Sequence, residues 1–284
     1  MRDVFYREDG VAGAVGAIFA MLIFVMVLSI YVTSYVPAQM TIYEQEYSAR
    51  LSDSLENLAS TVLTLIAEDR NGSSLMTTFD LVSDNVPFFT SPTYGLLNFS
   101  SYKQGEGQIS LTVNYNNSNE VPISAGGAVS AISNNRYFTD EMFSFEFSSV
   151  FFNRVMTKNT SYLSGGFISA NSTNFTNVPW VNLTLININY VPSEISSSST
   201  VPIMVTFLYE TEEKFSDVEN IVTIATTSLY GLSFYQSVGN SLNSSGFQNF
   251  LTEKNGNPSD FTIGKGNHPF NSLITEAYIE ISFV

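Results

Sequence analysis

An uncharged, apolar segment near the N-terminus places the strongest constraint on how this chain can fold. No charged residue occurs between positions 10 and 43, and residues 11–36 are predominantly apolar. As a helix, residues 11–36 would extend about 39 Å at 1.5 Å per residue, more than the ~30 Å hydrocarbon core of a bilayer. We therefore predict a short cytoplasmic leader over residues 1–9 and a transmembrane helix over residues 10–36, with Pro37 marking a break or kink. The alternatives are a buried core helix and a cleaved signal peptide, and the length of the segment argues against both.

Small residues line one face of the first half of this helix. Gly13, Gly16, Ala17 and Ala20 recur at helical spacing. Because small side chains let helix backbones approach one another in lipid, these four residues are candidates for helix packing and self-association. Glycine and alanine are also common in membrane helices that do not associate, and both interpretations stay open.

An amphipathic pattern follows over residues 37–70. Its apolar side chains recur every three or four positions: Tyr47, Leu51, Leu55, Leu58, Val62 and Leu65. The charged residues, Glu44 among them, are expected mostly off this stripe. The spacing predicts a stalk helix that ends near Arg70, before the stop signal Asn71-Gly72. We expect it to lie on its own head domain, and the alternative is a coiled coil between subunits.

The periodicity changes to two in the remaining residues, 71–284, which we predict to form an extracytoplasmic head. Segments 109–115, 143–148, 181–185 and 277–284 alternate apolar and polar side chains, and Gly, Asn, Ser and Pro separate them. This pattern predicts an antiparallel β-sandwich. The fold class is therefore mainly β, with a long N-terminal α-helix. The alternation changes phase between Leu185 and Ile186, which predicts a β-bulge.

Three kinds of segment in the head depart from the strand pattern. Apolar residues at helical spacing behind an N-cap candidate, Ser228, predict one helix. These residues are Leu229, Leu232, Tyr235, Val238 and Leu242. Residues 192–200 are of low complexity and predict an exposed loop. The acidic clusters at 140–141 and 210–213 are expected in solvated turns at strand ends.

The composition excludes several classes of function. Lys and Arg number 11 against 26 Asp and Glu, for a net charge of −15, so nucleic acid is not an expected partner. The chain has no cysteine and a single histidine, His268, which excludes thiol nucleophiles, Cys-ligated metals and His-rich metal sites. Residues 264–268 lack the spacing of a phosphate-binding loop. We therefore expect no catalytic, cofactor-binding or metal site, no cofactor and no enzymatic activity.

Glycosylation sequons occur only after the apolar segment. The Asn-x-Ser/Thr acceptors are Asn71, Asn98, Asn116, Asn159, Asn171, Asn174, Asn182 and Asn243. Arg2 and Arg7 precede the span, which weakly favours an N-terminus inside the cell. Together these features predict a single-pass glycoprotein with its C-terminal domain outside, at the cell surface.

The N-terminal part of the chain resembles the class III signal region of archaeal type IV pilins and archaellins. In that family a short charged leader ends in a small residue, and a prepilin-type peptidase cuts before the apolar helix. The matching stretch here is Arg7-Glu8-Asp9-Gly10, followed by Val11. The resemblance implies processing between Gly10 and Val11. It also implies one long helix, membrane-embedded first and amphipathic second, packed on a β head.

The same resemblance implies a structural role at the cell surface. The expected function is a pilin-like subunit, or minor subunit, of an extracellular filament assembled through the N-terminal helix. The expected partners are membrane lipid, other pilin-like subunits and a prepilin-type peptidase. The residues before Gly10 are acidic, where the family usually has Lys or Arg. Two alternatives therefore stay open: a membrane-anchored glycosylated envelope protein that does not polymerise, and a ligand-binding or adhesion ectodomain.

Overall fold

A computed structural model of the chain describes residues 3–83, 86–102, 107–116, 119–157, 159–171, 179–190, 193–197, 199–226, 230–254, 257–264 and 269–283. For residues 3–11, 171, 193–194 and 224–226 it describes the backbone alone. One long N-terminal helix is followed by a mainly β head with two sheets, which confirms the predicted fold class.

The N-terminal helix continues without a break from its first to its last turn. It consists of α1 (Asp3–Ile30), a π-helical turn (Tyr31–Tyr35) and α2 (Val36–Glu68). Its end lies close to the predicted one, since Asp69 takes the left-handed conformation that closes α2.

In place of the break or kink predicted at Pro37, the structure has a widened helical turn directly before the proline, through which the helix continues. The amide of Val36 donates to the carbonyl of Tyr31, five residues back. A proline lacks an N–H, and its ring presses on the carbonyl four residues earlier, here that of Thr33. The π-helical turn gives the ring room and keeps the helix continuous.

The described part of the head contains fifteen strands and one further helix, α3 (Gly231–Ser244). The strands are β1 (Ser74–Asp80), β2 (Gly95–Ser100), β3 (Gln108–Tyr115), β4 (Asn119–Gly126), β5 (Ala128–Ser133), β6 (Glu141–Glu146), β7 (Ser149–Arg154), β8 (Asn159–Gly165), β9 (Ile168–Asn171), β10 (Trp180–Asn189), β11 (Ser193–Ser196), β12 (Thr200–Thr226), β13 (Leu251–Lys254), β14 (Asn257–Ile263) and β15 (Phe270–Phe283).

These strands form two sheets. The nine-stranded sheet has the order β13-β14-β12-β15-β10-β9, with β1, β3 and β4 paired beside this path. The six-stranded sheet has the order β11-β2-β5-β6-β7-β8. Strand pairing within the described residues is antiparallel, as predicted, except between β10 and β15, which run parallel in the centre of the large sheet.

Two hydrophobic cores follow one another along the head. We call the end at which α2 enters, near Val36, the proximal end, and the opposite end the distal end. The proximal core packs α2 against both sheets, through strands such as β1, β5 and β12. The distal core lies beyond the end of α2 and contains apolar side chains of β3, β10, β12, β14 and β15. The helix α3 covers it and contacts β8, β9, β13 and β14.

The phase change in β10 is a change of sheet face and not a bulge. Leu185 and Ile186 are both buried, but Leu185 belongs to the distal core and Ile186 to the proximal core. The register of β10 against β15 is unbroken from Trp180 to Asn189. Neighbouring residues of a strand point to opposite faces, so the two cores cover opposite faces of the large sheet.

Other differences from the sequence-based expectation concern β11, β12 and α3. Residues Ser193–Ser196 of the predicted loop form the edge strand β11. The acidic cluster 210–213 lies in the middle of β12, not at a strand end. The helix α3 is present, but Ser228 and Leu229 lie outside the described residues, and Leu232 is exposed. Its buried side is formed by Gly231, Phe234, Val238 and Leu242.

Candidate functional site at the junction of helix and head

The apolar half of the N-terminal helix is uncovered. From Ala12 to Tyr35 its side chains are exposed or half-exposed, and large ones such as Leu22 (57%) and Phe24 (65%) lie open. Among the described residues this is the one helix long and apolar enough to cross a membrane. Such a continuous apolar surface is stable only when lipid or another protein covers it.

The small residues predicted for helix packing lie on this open surface. Gly13, Gly16, Ala17 and Ala20 are exposed. A Cβ added at Gly13 or Gly16 would meet no atom within 4 Å. No close contact within the described chain therefore requires a glycine at these two positions. The surface is accessible to a neighbouring helix. The predicted processing residues Gly10 and Val11 lie within the helical backbone of α1.

A buried carboxylate fastens α2 to the proximal end of the head. Glu44 is fully buried. Its Oε1 accepts hydrogen bonds from the Thr93 hydroxyl (2.8 Å) and the Arg136 amide (3.0 Å). Its Oε2 accepts from the amides of Tyr137 (2.7 Å) and Phe138 (2.8 Å). Three consecutive amides aimed at one carboxylate form an anion cradle, which compensates the desolvation of the buried charge.

A polar network continues from Glu44 along the next turn of α2. The Ser48 hydroxyl donates to Ser133 Oγ (3.0 Å), and the Asn135 side-chain amide donates to both hydroxyls (3.2 and 3.1 Å). Ser133 Oγ also accepts from the Glu141 amide (3.0 Å). Glu141 in turn pairs with Arg154 at 3.3 Å. The helix is thus held to the loop between β5 and β6 by directed bonds as well as by apolar packing.

The apolar stripe of α2 packs inside the head. The six predicted stripe residues are 0–1% exposed and belong to the proximal core. This confirms that the stalk helix lies on its own head. The backbone of Gly95 comes so close to Tyr47 that a Cβ there would lie 2.1 Å from the phenol oxygen. Burial raises the pKa of Tyr47, and its hydroxyl has no hydrogen-bond partner among the described residues.

Sequence reasoning missed the roles of Glu44 and Ser48. The expectation that Glu44 lies off the stripe is wrong, because it stands three residues before Tyr47 and four after Met40, on the buried side. A signal was present: the stripe continues backward through Glu44 to Met40 and Val36 at the same spacing. The partners of Glu44 could not be read from the sequence, since they lie 49 to 94 residues away.

The predicted glycosylation sites divide into accessible and less accessible ones. Asn71, Asn116, Asn159 and Asn243 are exposed. Asn98 and Asn182 are half-buried within strands, and the Oδ1 of Asn182 is buried with no partner among the described residues. Asn171 ends β9, and its side chain is outside the described residues, as is all of Asn174. His268 and the other residues of 265–268 also lie outside them.

The remaining surface offers shallow clefts. One of about 460 Å³ lies beside α3, between residues that include Tyr235, Asn240 and Phe247. Another of about 580 Å³ follows the outer side of α2, next to the end of β8. Over the described ranges, no group of three or more His, Cys, Asp or Glu side chains could hold a metal ion.

Comparisons with known proteins found no match. No protein-family model matches the chain. No curated protein and no solved structure matches it either.

Proposed function

We propose that this chain is a structural cell-surface protein, a pilin-like subunit or minor subunit of an extracellular filament, held in the membrane by its N-terminal helix before assembly. One observation carries the proposal. A single continuous helix is divided into an uncovered apolar half and a half that is packed inside a β head. The apolar half is available for lipid first and for copies of itself afterwards.

The physical basis of such assembly is burial of the same apolar surface in two environments. In a bilayer, α1 satisfies its own backbone hydrogen bonds and its side chains contact lipid. In a filament, those side chains would pack against neighbouring helices. The surface of Gly13, Gly16, Ala17 and Ala20 is where two helix backbones can approach most closely.

The junction supports this role because it fixes the head relative to the helix. The helix stays continuous through the π-helical turn, and the Glu44 cradle ties it to the loop 136–138. Copies with one fixed geometry can repeat one contact, which a helical filament requires. The exposed acceptors Asn71, Asn116, Asn159 and Asn243 are consistent with a glycosylated head outside the cell.

The first test is the N-terminal peptide of the protein, read by mass spectrometry from native membranes and from the sheared surface fraction. Prepilin-type processing predicts a mature start at Val11 and recovery of that form in sheared filaments. An intact Met1 together with extraction by detergent alone would overturn the filament proposal. The protein would then be a membrane-anchored envelope component.

A matched pair of variants tests the packing surface. Gly16→Leu adds a large side chain on the small-residue surface. Ala14→Leu is the control: it adds the same side chain off that surface, about 100° around the helix from Gly13. We expect Gly16→Leu to abolish filaments in the sheared fraction, while the protein stays in the membrane. Ala14→Leu should assemble. Normal assembly of both variants would contradict a role for this surface.

A further inference from the structure

The proximal end of the head carries apolar side chains at the tips of three connections between strands. Phe88 and Phe89 lie between β1 and β2, Tyr137 in the loop 134–140, and Val155 and Met156 in the turn 155–157. We call these five residues the collar. Met156 (81%), Phe88 (75%) and Phe89 (70%) are the most exposed large hydrophobic side chains of the described head. Single exposed apolar residues are common on protein surfaces. A cluster of the most exposed apolar side chains at one end of the head is unusual and indicates an interaction surface.

The chain direction brings Ser83 and Thr93 to the level of the Glu44 cradle, at the proximal end of the head. After α2 ends distally, β1 runs back and reaches Ser83, whose amide donates to the Thr93 carbonyl at 2.9 Å. Thr93 in turn donates to Glu44. Ser83 and Thr93 thus meet at the level of Glu44, and Phe88 and Phe89 lie in the stretch between them, at the proximal end of the head.

The other two connections reach the same level. The loop 134–140 supplies the amides that hold Glu44, and the Thr41 hydroxyl lies 3.5 Å from the Tyr137 carbonyl. The turn 155–157 lies beside this loop, because the Val155 amide donates to the Asp140 carbonyl at 3.1 Å. All three connections therefore lie at the end of the head where the helix leaves it.

The helix length sets the distance from the collar to the membrane. A 30 Å hydrocarbon core takes about 20 helical residues, so a span that begins at Val11 ends near Tyr31. Tyr31 and Tyr35 stack with ring centroids 5.1 Å apart, at the depth where interfacial aromatic residues occur. Val36, the first residue that the head covers, is only about 7.5 Å further along. That distance matches the polar headgroup layer.

We propose that the collar docks on the lipid headgroup layer, so that the head rests on the membrane surface beside its own helix instead of standing away from it. Tyr137 is an amphipathic aromatic residue of the kind found in this layer, and the exposed Arg136 can meet lipid phosphates. The apolar side chains of Phe88, Phe89 and Met156 can bury their surface at the boundary between headgroups and acyl chains. The inference rests on the membrane insertion that the proposed function includes. It does not depend on filament assembly.

Site-specific labels test this proposal directly, because the native chain has no cysteine. The full chain is reconstituted in unilamellar vesicles of phosphatidylcholine and phosphatidylglycerol. Single-cysteine variants at Phe88, Tyr137 and Met156 carry an environment-sensitive fluorophore. Phe24→Cys reports insertion of the span, and Leu232→Cys, exposed on the distal helix α3, is the matched control on the head.

We expect quenching by lipids with a headgroup-level spin label at all three collar positions, and severalfold weaker quenching by aqueous iodide than at position 232. The collar proposal would be overturned if iodide quenched the collar labels as strongly as the label at position 232 while lipid protected Phe24→Cys. Membrane anchorage would then still hold. An unprotected Phe24→Cys would overturn both. Shielding from iodide without quenching by labelled lipid would assign the collar to a second copy or another protein, and would also overturn lipid docking.

A charge variant excludes an effect of the label itself. Phe88→Glu with Phe89→Glu places two carboxylates in the collar, which a headgroup layer rich in phosphatidylglycerol repels. In this background the label at Tyr137→Cys should become severalfold more accessible to iodide, whereas Leu232→Glu should leave it unchanged. Equal iodide quenching in the two backgrounds would contradict docking through the collar.

Discussion

At the scale of single residues, the junction of helix and head depends on two close contacts between residues that lie far apart in the sequence. Glu44 replaces its lost hydration with four directed hydrogen bonds. Tyr47 has a buried hydroxyl against a glycine that has no room for a side chain. Both residues lie on the buried side of α2, so changes there affect stability and the orientation of the head together.

Removal of the Glu44 charge should weaken the junction. Glu44→Gln keeps the size but turns an NH₂ group toward backbone amides that need an acceptor, so we expect a loss of about 1–3 kcal/mol in the free energy of unfolding. The measurement is urea unfolding of the detergent-solubilised chain. Glu46→Gln, at an exposed position of the same helix, is the control. Equal stability of the two variants would show that the cradle contributes nothing.

The contact between Gly95 and Tyr47 allows a double-mutant cycle. Gly95→Ala forces a methyl group into the phenol oxygen and should cost about 1–3 kcal/mol. Tyr47→Phe removes a buried oxygen without a described partner and should be close to neutral. The double variant should then recover most of the stability lost in Gly95→Ala. Simple additivity of the two changes in thermal unfolding would refute the direct clash.

Glu276 gives the head a pH dependence of defined sign. Desolvation raises the pKa of Glu276, Glu213 adds to that shift, and a hydrogen bond from Tyr278 opposes it. Because the folded-state pKa lies above the unfolded one, protonation favours the folded state, and this contribution is lost as pH rises through the folded pKa. Glu276→Gln should therefore raise the melting temperature at pH 7 more than at pH 4. A gain that is the same at both values would contradict the raised pKa.

At the scale of elements, the two halves of the N-terminal helix differ in what covers their apolar surfaces. The stripe of α2 is covered by the head's own sheets, whereas the apolar surface of α1 has no cover within the chain. Hydrophobicity alone identified both segments. Their environments differ because only α2 meets strands that expose a complementary apolar surface.

Truncation within the stripe should affect the whole proximal core. Leu55 is fully buried on α2, so Leu55→Ala should lower the free energy of unfolding by about 2–5 kcal/mol. Ile42 is exposed on the same helix, and Ile42→Ala should stay within about 0.5 kcal/mol. Chemical unfolding of the full chain measures both. Similar losses in the two variants would mean that α2 is not seated as described.

At the scale of the whole molecule, the protein consists of a head that contains its own helix and an apolar extension of that helix. Within the described residues, the side chains of the extension from Ala12 to Tyr35 are exposed or half-exposed. The head closes both of its cores without it. Folding and anchoring are therefore separable properties of one chain.

Two deletions test this separation. Removal of residues 1–35 should give a head that is soluble without detergent and keeps its melting temperature, because none of its core residues is lost. Removal of residues 1–44 also takes away Val36, Met40 and Glu44, and should lower the melting temperature clearly. The check is thermal unfolding by circular dichroism. A head that precipitates after the shorter deletion would show that α1 contributes to folding.

The local patterns of the chain determined the long apolar helix, the amphipathic α2, the strand-rich head and a helix near residue 235, because each depends on the spacing of apolar residues a few positions apart. Only the tertiary structure decided that Leu185 and Ile186 serve different cores, that β10 lies parallel to β15 and that Glu44 is buried in a cradle of backbone amides. Such features depend on partners distant in sequence. The spacing of apolar residues along the chain predicts that a residue is buried. The packing of the sheets and the helix determines which residues bury it.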